Sequence, residues 1–368
     1  MRFNPKANDT IGLYLNGREV TFAVAPHPDP SFRAARFPHA MSGERSTIWH
    51  IRDLDDNQEY ALEVPNSRYL DRPALEQVCI YLDKLKYIGG LECSAHFCLT
   101  PELAAPTIQQ YPDLEYSILM PWIKGTSWFD AHQDHERTRA LRTLTRWQCL
   151  QLAHQLACVL SELERRGDTH CALCPENLMV EIAPGNMRVD LLGLEDMLSP
   201  GVPQDNRMRI KLLGYAHPAY SQVGVDAAYD RFPGALLLSE MLGWFDDRVH
   251  AQCSAESYFD PDELQWDSSQ KLQILGDALR QHHPDLERLL SDAWKSPIPS
   301  SCPTIQQWCE TLERVMLTKI EYTWLAKEVR PSSRPSARRC WEAIQRVDRF
   351  PGGPAQIAEG RRGTTSCR

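Results

Sequence analysis

The residues of this chain best suited to chemistry lie in one stretch, Thr169-His170-Cys171-Ala172-Leu173-Cys174-Pro175-Glu176-Asn177-Leu178-Met179-Val180. Cys171 and Cys174 have C-x-x-C spacing and His170 stands beside them, a set that could hold a soft metal or cycle between thiol and disulfide. The surroundings such a site usually has are missing. No thioredoxin-like βαβ pattern flanks the pair, and no matching second pair follows. Cys93-Ser94-Ala95-His96-Phe97-Cys98 is the other candidate cluster, at an untypical spacing. Ordinary loop thiols are the plainer reading of both. Nothing resembles a Ser-His-Asp arrangement, and the pairs His282-His283 and Asp246-Asp247 read as exposed structural groups.

The chain that must position these residues has 368 residues, enough for one large two-lobed domain or two ordinary ones, and its 42% apolar content allows a sizeable core. A net charge of −9 gives no reason to expect nucleic acid as the main partner. No apolar run is long enough to span a bilayer, and Met1-Arg2-Phe3-Asn4-Pro5 carries no signal-peptide pattern. The 12 cysteines are scattered, with Cys79, Cys149 and Cys158 inside helical patterns, as expected for reduced thiols in a cytoplasmic protein.

Strand signals fill the first half. Ile11–Leu15 and Val20–Val24 predict a hairpin turned by Asn16-Gly17, and Ser46–Arg52 and Glu59–Val64 predict two further strands. Arg72 to Leu85 has helical spacing, and Tyr116–Pro121 is an apolar strand. From Arg146 the pattern turns helical, with one apolar stripe through Leu152, Leu156, Leu160 and Leu163 and a stop at Gly167. Leu178–Ile182 and Met187–Leu192 read as short strands, and Asp230–Leu242 as a strongly apolar helix. Leu272–Leu279, Leu286–Trp294 and Thr304–Leu325 are helical. The last fifty residues are rich in Arg, with Pro331 and Pro335, and read as a helix followed by a basic, partly disordered tail.

The stretch around His170 resembles the catalytic loop of the eukaryotic-type protein kinase superfamily, H-R-D-L-x-x-x-N. The resemblance runs from about Ser42 to about Trp308 and is strongest in the second half. It implies an α+β, two-lobed fold with a small β-rich first lobe and a larger α-helical second lobe. The corresponding boundaries are an N-terminal extension with a β-hairpin over 1–40, the first lobe over 41–121, the second over 122–318, and the C-terminal helix and tail over 319–368.

By that resemblance, Ala172 stands at the catalytic Asp and Cys174 where such loops usually carry Lys. A methyl group can neither accept a proton nor orient a hydroxyl. Tyr60-Ala61-Leu62-Glu63-Val64 matches the V-A-I-K strand, with Glu63 in place of the phosphate-gripping Lys and Glu76 as its partner on the following helix. Two acids cannot form that ion pair. Only Gly43 remains of a Gly-rich loop, and an ordinary hairpin turn is the competing reading there. Leu119-Met120-Pro121-Trp122 matches the hinge, although Pro121 has no N–H to offer. Leu191-Leu192-Gly193 matches D-F-G with Leu191 at the metal-binding Asp; a slip by one residue would put Asp190 there. Asn177, the other metal ligand of the family, is kept. Ala219 and Cys302 replace together the Glu and Arg of a structural ion pair, a coupled loss that can be neutral. His170, Gly193 and Asp230 keep architectural roles, the last holding the loop backbone.

The resemblance therefore implies a catalytically impaired pseudokinase of bacterial type. It would act as a scaffold or allosteric regulator in a signalling or stress/defence module. Gly43, Met120, Trp122 and Asn177 would remain of a nucleotide pocket, with ATP and magnesium binding weak or absent and no metal or cofactor required. The expected partner is another protein, of the phosphatase or von Willebrand-type class found beside such relatives. Two alternatives stand: an active atypical Ser/Thr kinase, or other ATP-dependent transferase, using displaced carboxylates such as Asp168, Asp190 or Asp196; and a nucleic-acid-associated protein working through the Arg-rich tail.

Overall fold

A computed structural model describes residues 3–33, 35–43, 45–66, 75–132, 139–183, 186–202, 213–221, 225–253 and 257–327. Contacts divide the chain into a unit Met1–Lys319 and a unit Ile320–Arg368. The Arg-rich tail lies outside the described residues.

The first half builds one seven-stranded antiparallel sheet. β1 (Thr10–Leu15) and β2 (Arg18–Val24) turn through Asn16 and Gly17, whose φ values of 49° and 82° suit the turn that Asn-Gly favours. α1 (Pro30–Arg33), β3 (Ala40–Ser42), β4 (Ser46–Asp53), β5 (Glu59–Pro65), α2 (Leu75–Leu82), β6 (Phe97–Cys98), α3 (Ala105–Gln110) and β7 (Ile118–Pro121) follow. The strand order is β1-β2-β4-β5-β7-β6, with β3 paired to β4. The hairpin assigned to an N-terminal extension is thus continuous with the sheet of the first lobe, through Phe22, Ala23 and Val24 opposite Asp53, Arg52 and Ile51.

Strand alternation sorts β5 into two faces. Tyr60, Leu62 and Val64 join Leu13, Phe22, Trp49 and Ile51 in the core of the lobe, which leaves Ala61 and Glu63 on the opposite face. There α2 lays Leu75 and Cys79 against Cys98 and Ile118.

The second half contains β8 (Thr126–Ser127), α4 (Trp128–His132), α5 (Arg139–Arg142), α6 (Arg146–Arg166), β9 (Leu178–Ala183), β10 (Asn186–Leu191), α7 (Arg231–Gly243), α8 (Asp247–His250), α9 (Gln270–His282), α10 (Pro284–Trp294) and α11 (Ile305–Lys327). Thr145 and Gln148 cap α6 reciprocally, and Gly167 ends it at φ 77°. Every residue of α7 from Phe232 to Gly243 is buried, so this helix forms the axis of the lobe. α6 packs along it, and α9 and α10 close the far side. β10-β9-β8 form a small sheet against α6. His282 departs from the exposed role expected of it. It is buried, with its Nε2 2.8 Å from the Leu242 carbonyl, because the apolar stripe of α9 turns it inward.

Strands first and helices after, with a helix laid on the first sheet and a loop running from α6 into β9, make this a two-lobed, protein-kinase-like α+β fold. Among the described residues no helix is long and apolar enough to cross a membrane.

Candidate functional site

The loop between α6 and β9 is held from below. Thr169 exchanges backbone hydrogen bonds of 2.8 Å with Leu198. The next two amides, of His170 and Cys171, both donate to the Asp230 carboxylate at the start of α7, the latter at 3.0 Å. These bonds fix Cys171 at φ 67°, a left-handed conformation unusual for a side chain of its size. Burial pushes Asp230 up to about 7, against the pull of the two amides.

His170 bridges the loop to the end of β10. Its Nδ1 accepts from the Ala172 amide at 3.3 Å and its Nε2 lies 2.8 Å from the Leu192 carbonyl, a pattern that fits the ring with its proton on Nε2. Asn177 follows on a 3-10 turn, Pro175–Asn177. Its Nδ2 donates to the Ala172 carbonyl at 2.8 Å, and its own carbonyl accepts from Leu192 at 2.8 Å. Gly193 sits directly against it at φ 70°, where a Cβ would lie 2.8 Å from Asn177 Nδ2. His170, Asn177, Gly193 and Asp230 therefore form one connected support.

The positions this support presents are apolar. Ala172 is buried, Cys174 is part of the lobe core, and Leu191 is fully buried opposite Leu178. Leu191 pairs with Leu178, and the left-handed turn at Gly193 that follows is seated on Asn177. Asp190 projects from the other face of β10. Its carboxylate lies 2.6 Å from Arg188, which also reaches Glu92 at 2.8 Å. Burial, with Glu92 beside it, pushes Asp190 up to about 7 against Arg188.

The remaining nearby acids are also engaged. Asp168 accepts from the Tyr81 hydroxyl at 2.6 Å and from Arg166 at 3.1 Å. Asp196 meets Arg45 at 2.5 Å. Arg45 follows the turn at Gly43, so this ion pair joins the first lobe to the segment after Gly193. Gly43 donates to the Ser46 carbonyl at 2.8 Å, as in a tight hairpin turn.

In the first lobe Glu63 is half-buried, opposite Ile48 and Ile118. Glu63 and Glu195 both add negative field at Cys79, whose thiol is held protonated first by its contact with Cys98 and by burial. Glu76, half-buried on α2, contributes to the field at Tyr116. A phosphate group brought here would meet carboxylates where it needs a cation.

At the hinge position Met120 pairs with Ala61 and is half-buried. The Trp122 amide is already committed to the Glu59 carbonyl at 3.0 Å, and Pro121 has none. The Trp122 ring stacks on His50, with centroids 4.0 Å apart and planes 10° from parallel, and His39 packs edge-on at 5.0 Å. Burial, reinforced by His39, pushes His50 down to about 4, although Glu59 opposes the shift. Sequence reasoning missed His39 and His50, because nothing local marks an imidazole just before β3 and another on β4 as partners of a tryptophan that follows β7.

A magnesium-nucleotide needs a cation on the first-lobe strand and carboxylates at the loop and at the end of β10. The residues that the resemblance sets at these places are Glu63, Ala172 and Leu191, a carboxylate and two apolar side chains. Of the loop thiols, Cys171 Sγ is directed to the Thr169 carbonyl at 3.4 Å.

No family model matches the chain, and no curated protein matches it. Among solved structures it is similar to the crystal structure of a double mutant of the Mycobacterium tuberculosis PknI kinase domain, at 12% identity and a TM-score of 0.46, over 85% of this chain and 99% of that one. It is similar also to a single mutant of the same domain, at 13% identity and a TM-score of 0.45, over 85% and 100% of the two chains.

Proposed function

We propose that this chain is a pseudokinase: a protein-kinase-like fold that works by binding, as a scaffold or allosteric regulator in a signalling or stress/defence module. One observation carries the reading. The positions that the resemblance gives to phosphate, proton and metal hold Glu63, Ala172 and Leu191, and the acids that could substitute are each tied to an arginine, Asp168 to Arg166, Asp190 to Arg188 and Asp196 to Arg45. Phosphoryl transfer depends on positioned charge, and three misplaced carboxylates do not provide it. The loop support around Asp230 then serves shape, presenting a fixed surface to a partner protein of the phosphatase or von Willebrand-type class.

Calorimetry with ATP, with and without magnesium, tests the reading. The expected result is no magnesium-dependent heat and no transfer of labelled phosphate to the chain or to a generic substrate. Tight, magnesium-dependent binding together with transfer overturns it. Affinity purification from the native cell then identifies the partner.

A further inference from the structure

Away from the cleft, α6 and the start of α11 are held side by side. Ser161 Oγ donates to Gln306 Oε1 at 2.6 Å, and Glu164 accepts from the Ile305 amide at 3.0 Å. Between these helices two side-chain pairs face each other. His154 and Cys158 stand four residues apart on α6, and Cys309 and Glu313 four apart on α11, so each pair projects from one face of its helix. Cys158 Sγ lies 3.4 Å from both Cys309 Sγ and His154 Nε2. Glu313 Oε1 lies 3.6 Å from His154 Nε2 and 4.0 Å from Cys309 Sγ. The ligand atoms of His154, Cys158 and Cys309 all lie within 4.8 Å of one another, the one such His/Cys/Asp/Glu convergence among the described residues.

We propose that His154, Cys158, Cys309 and Glu313 form a binding site for a zinc-class divalent ion. Two thiols, one imidazole and one carboxylate make a mixed sulfur, nitrogen and oxygen set of four, the number a tetrahedral zinc takes. With bonds of about 2.3 Å to sulfur and about 2.0 Å to nitrogen, tetrahedral ligand atoms are about 3.5–3.8 Å apart, close to the separations found here. His154, Cys158 and Cys309 would close on an ion with small side-chain adjustments, whereas Glu313, whose carboxylate lies outside that group of three, would have to swing inward to complete the four. Cys158 is open to solvent and gives the ion a way in, while Cys309 is buried. Binding would displace both thiol protons to solvent, leaving two thiolates on the ion. The ion would fasten the first turns of α11 to the centre of α6.

The test uses the full chain, reduced and stripped of metal, titrated anaerobically with cobalt(II). The expected result is one cobalt per chain, showing thiolate-to-cobalt charge transfer and tetrahedral ligand-field bands, both bleached by one equivalent of zinc. C158S/C309S should lose the bands, and H154A and E313Q should bind at least about tenfold more weakly, the loss typical of even an outer-shell partner. The surface position of Cys158 makes C158S alone a control that folds, checked by circular dichroism. The proposal fails if the reduced wild type, both thiols titrating as free, shows no charge-transfer band. It fails equally if the bands persist in C158S/C309S, or if the two thiols join as a disulfide in air while the reduced chain ignores metal.

Discussion

Asp230 and Cys171 are joined by a 3.0 Å hydrogen bond from the loop amide to the carboxylate, and the adjacent amide of His170 donates to the other carboxylate oxygen. One buried side chain thus fixes two consecutive peptide units and the left-handed turn between them.

Removing that acceptor leaves two buried donors unsatisfied. Each costs about 1–3 kcal/mol, so Asp230→Ala should destabilise the protein by roughly 2–6 kcal/mol. Thermal and urea denaturation measure the loss. An unchanged melting curve would mean that water or another group replaces the carboxylate and that the loop does not rely on α7.

Asp230 also sets a pH dependence. Its folded-state pKa is raised to about 7 by burial, above the ordinary value of 3.8. The folded state therefore holds the proton more tightly. That contribution is fully present below about pH 4 and is lost as pH rises through 7. The stability of the wild type relative to Asp230→Asn should fall between these limits and level off above them. A difference that instead grows with pH would show that the two amides outweigh desolvation.

Several features were legible because they are local. Asn16-Gly17 demands its turn, Gly167 ends α6, and the apolar run of α7 can only be a central helix. His170, Asn177, Gly193 and Asp230 were singled out by the resemblance of their separate motifs, whereas the bonds and packing that join them come from the fold. α3 was hidden by Pro106 in its first turn and by the polar face on which Thr107 is buried. β8 is two residues long and has no pattern of its own. The His154, Cys158, Cys309 and Glu313 group left only two i,i+4 pairs on distant helices, and no rule of sequence says that Cys158 meets Cys309, 151 residues away. Stacking of Trp122 on His50 is likewise a product of tertiary packing.

Gly193 is irreplaceable in its setting. A Cβ there would sit 2.8–3.0 Å from three atoms of the Asn177 side chain, at φ 70°. The left-handed backbone alone costs an alanine about 1–2 kcal/mol. Gly193→Ala should exceed that, because Asn177 must also give up its bond to the Ala172 carbonyl. In a double-mutant cycle with Asn177→Ala the two losses should be less than additive. Additive losses would show that the two residues do not meet.

Trp122 shields His50. Burial holds that imidazole down at about 4, so it stays neutral in the folded state and the folded state loses stability as pH falls from about 6.5 towards 4. Trp122→Ala removes the stacked ring, worth about 0.5–1.5 kcal/mol, and should raise the His50 pKa towards 6.5 as seen by NMR titration. The variant should also be less sensitive to acid over that interval. A His50 titration that does not move would mean that His39, not the tryptophan, sets its environment.

Ala172→Asp is the sharpest check on the cleft. It returns a carboxylate to the loop beneath a first lobe that still offers Glu63, beside a β10 end that still offers Leu191. Such a carboxylate could orient a hydroxyl, but nothing would hold the phosphates or the metal, and charge stabilisation is most of what this chemistry needs. The single variant should incorporate no labelled phosphate from ATP. Because Ala172 is buried, the new charge should also lower the melting temperature. Adding Glu63→Lys and Leu191→Asp restores the missing pieces in their proper places, so any magnesium-dependent ATP binding should appear only in the triple variant. Robust phosphorylation by Ala172→Asp alone would locate the phosphate and metal grips elsewhere, with Asp190 and Asp196 released from Arg188 and Arg45 as the groups to examine.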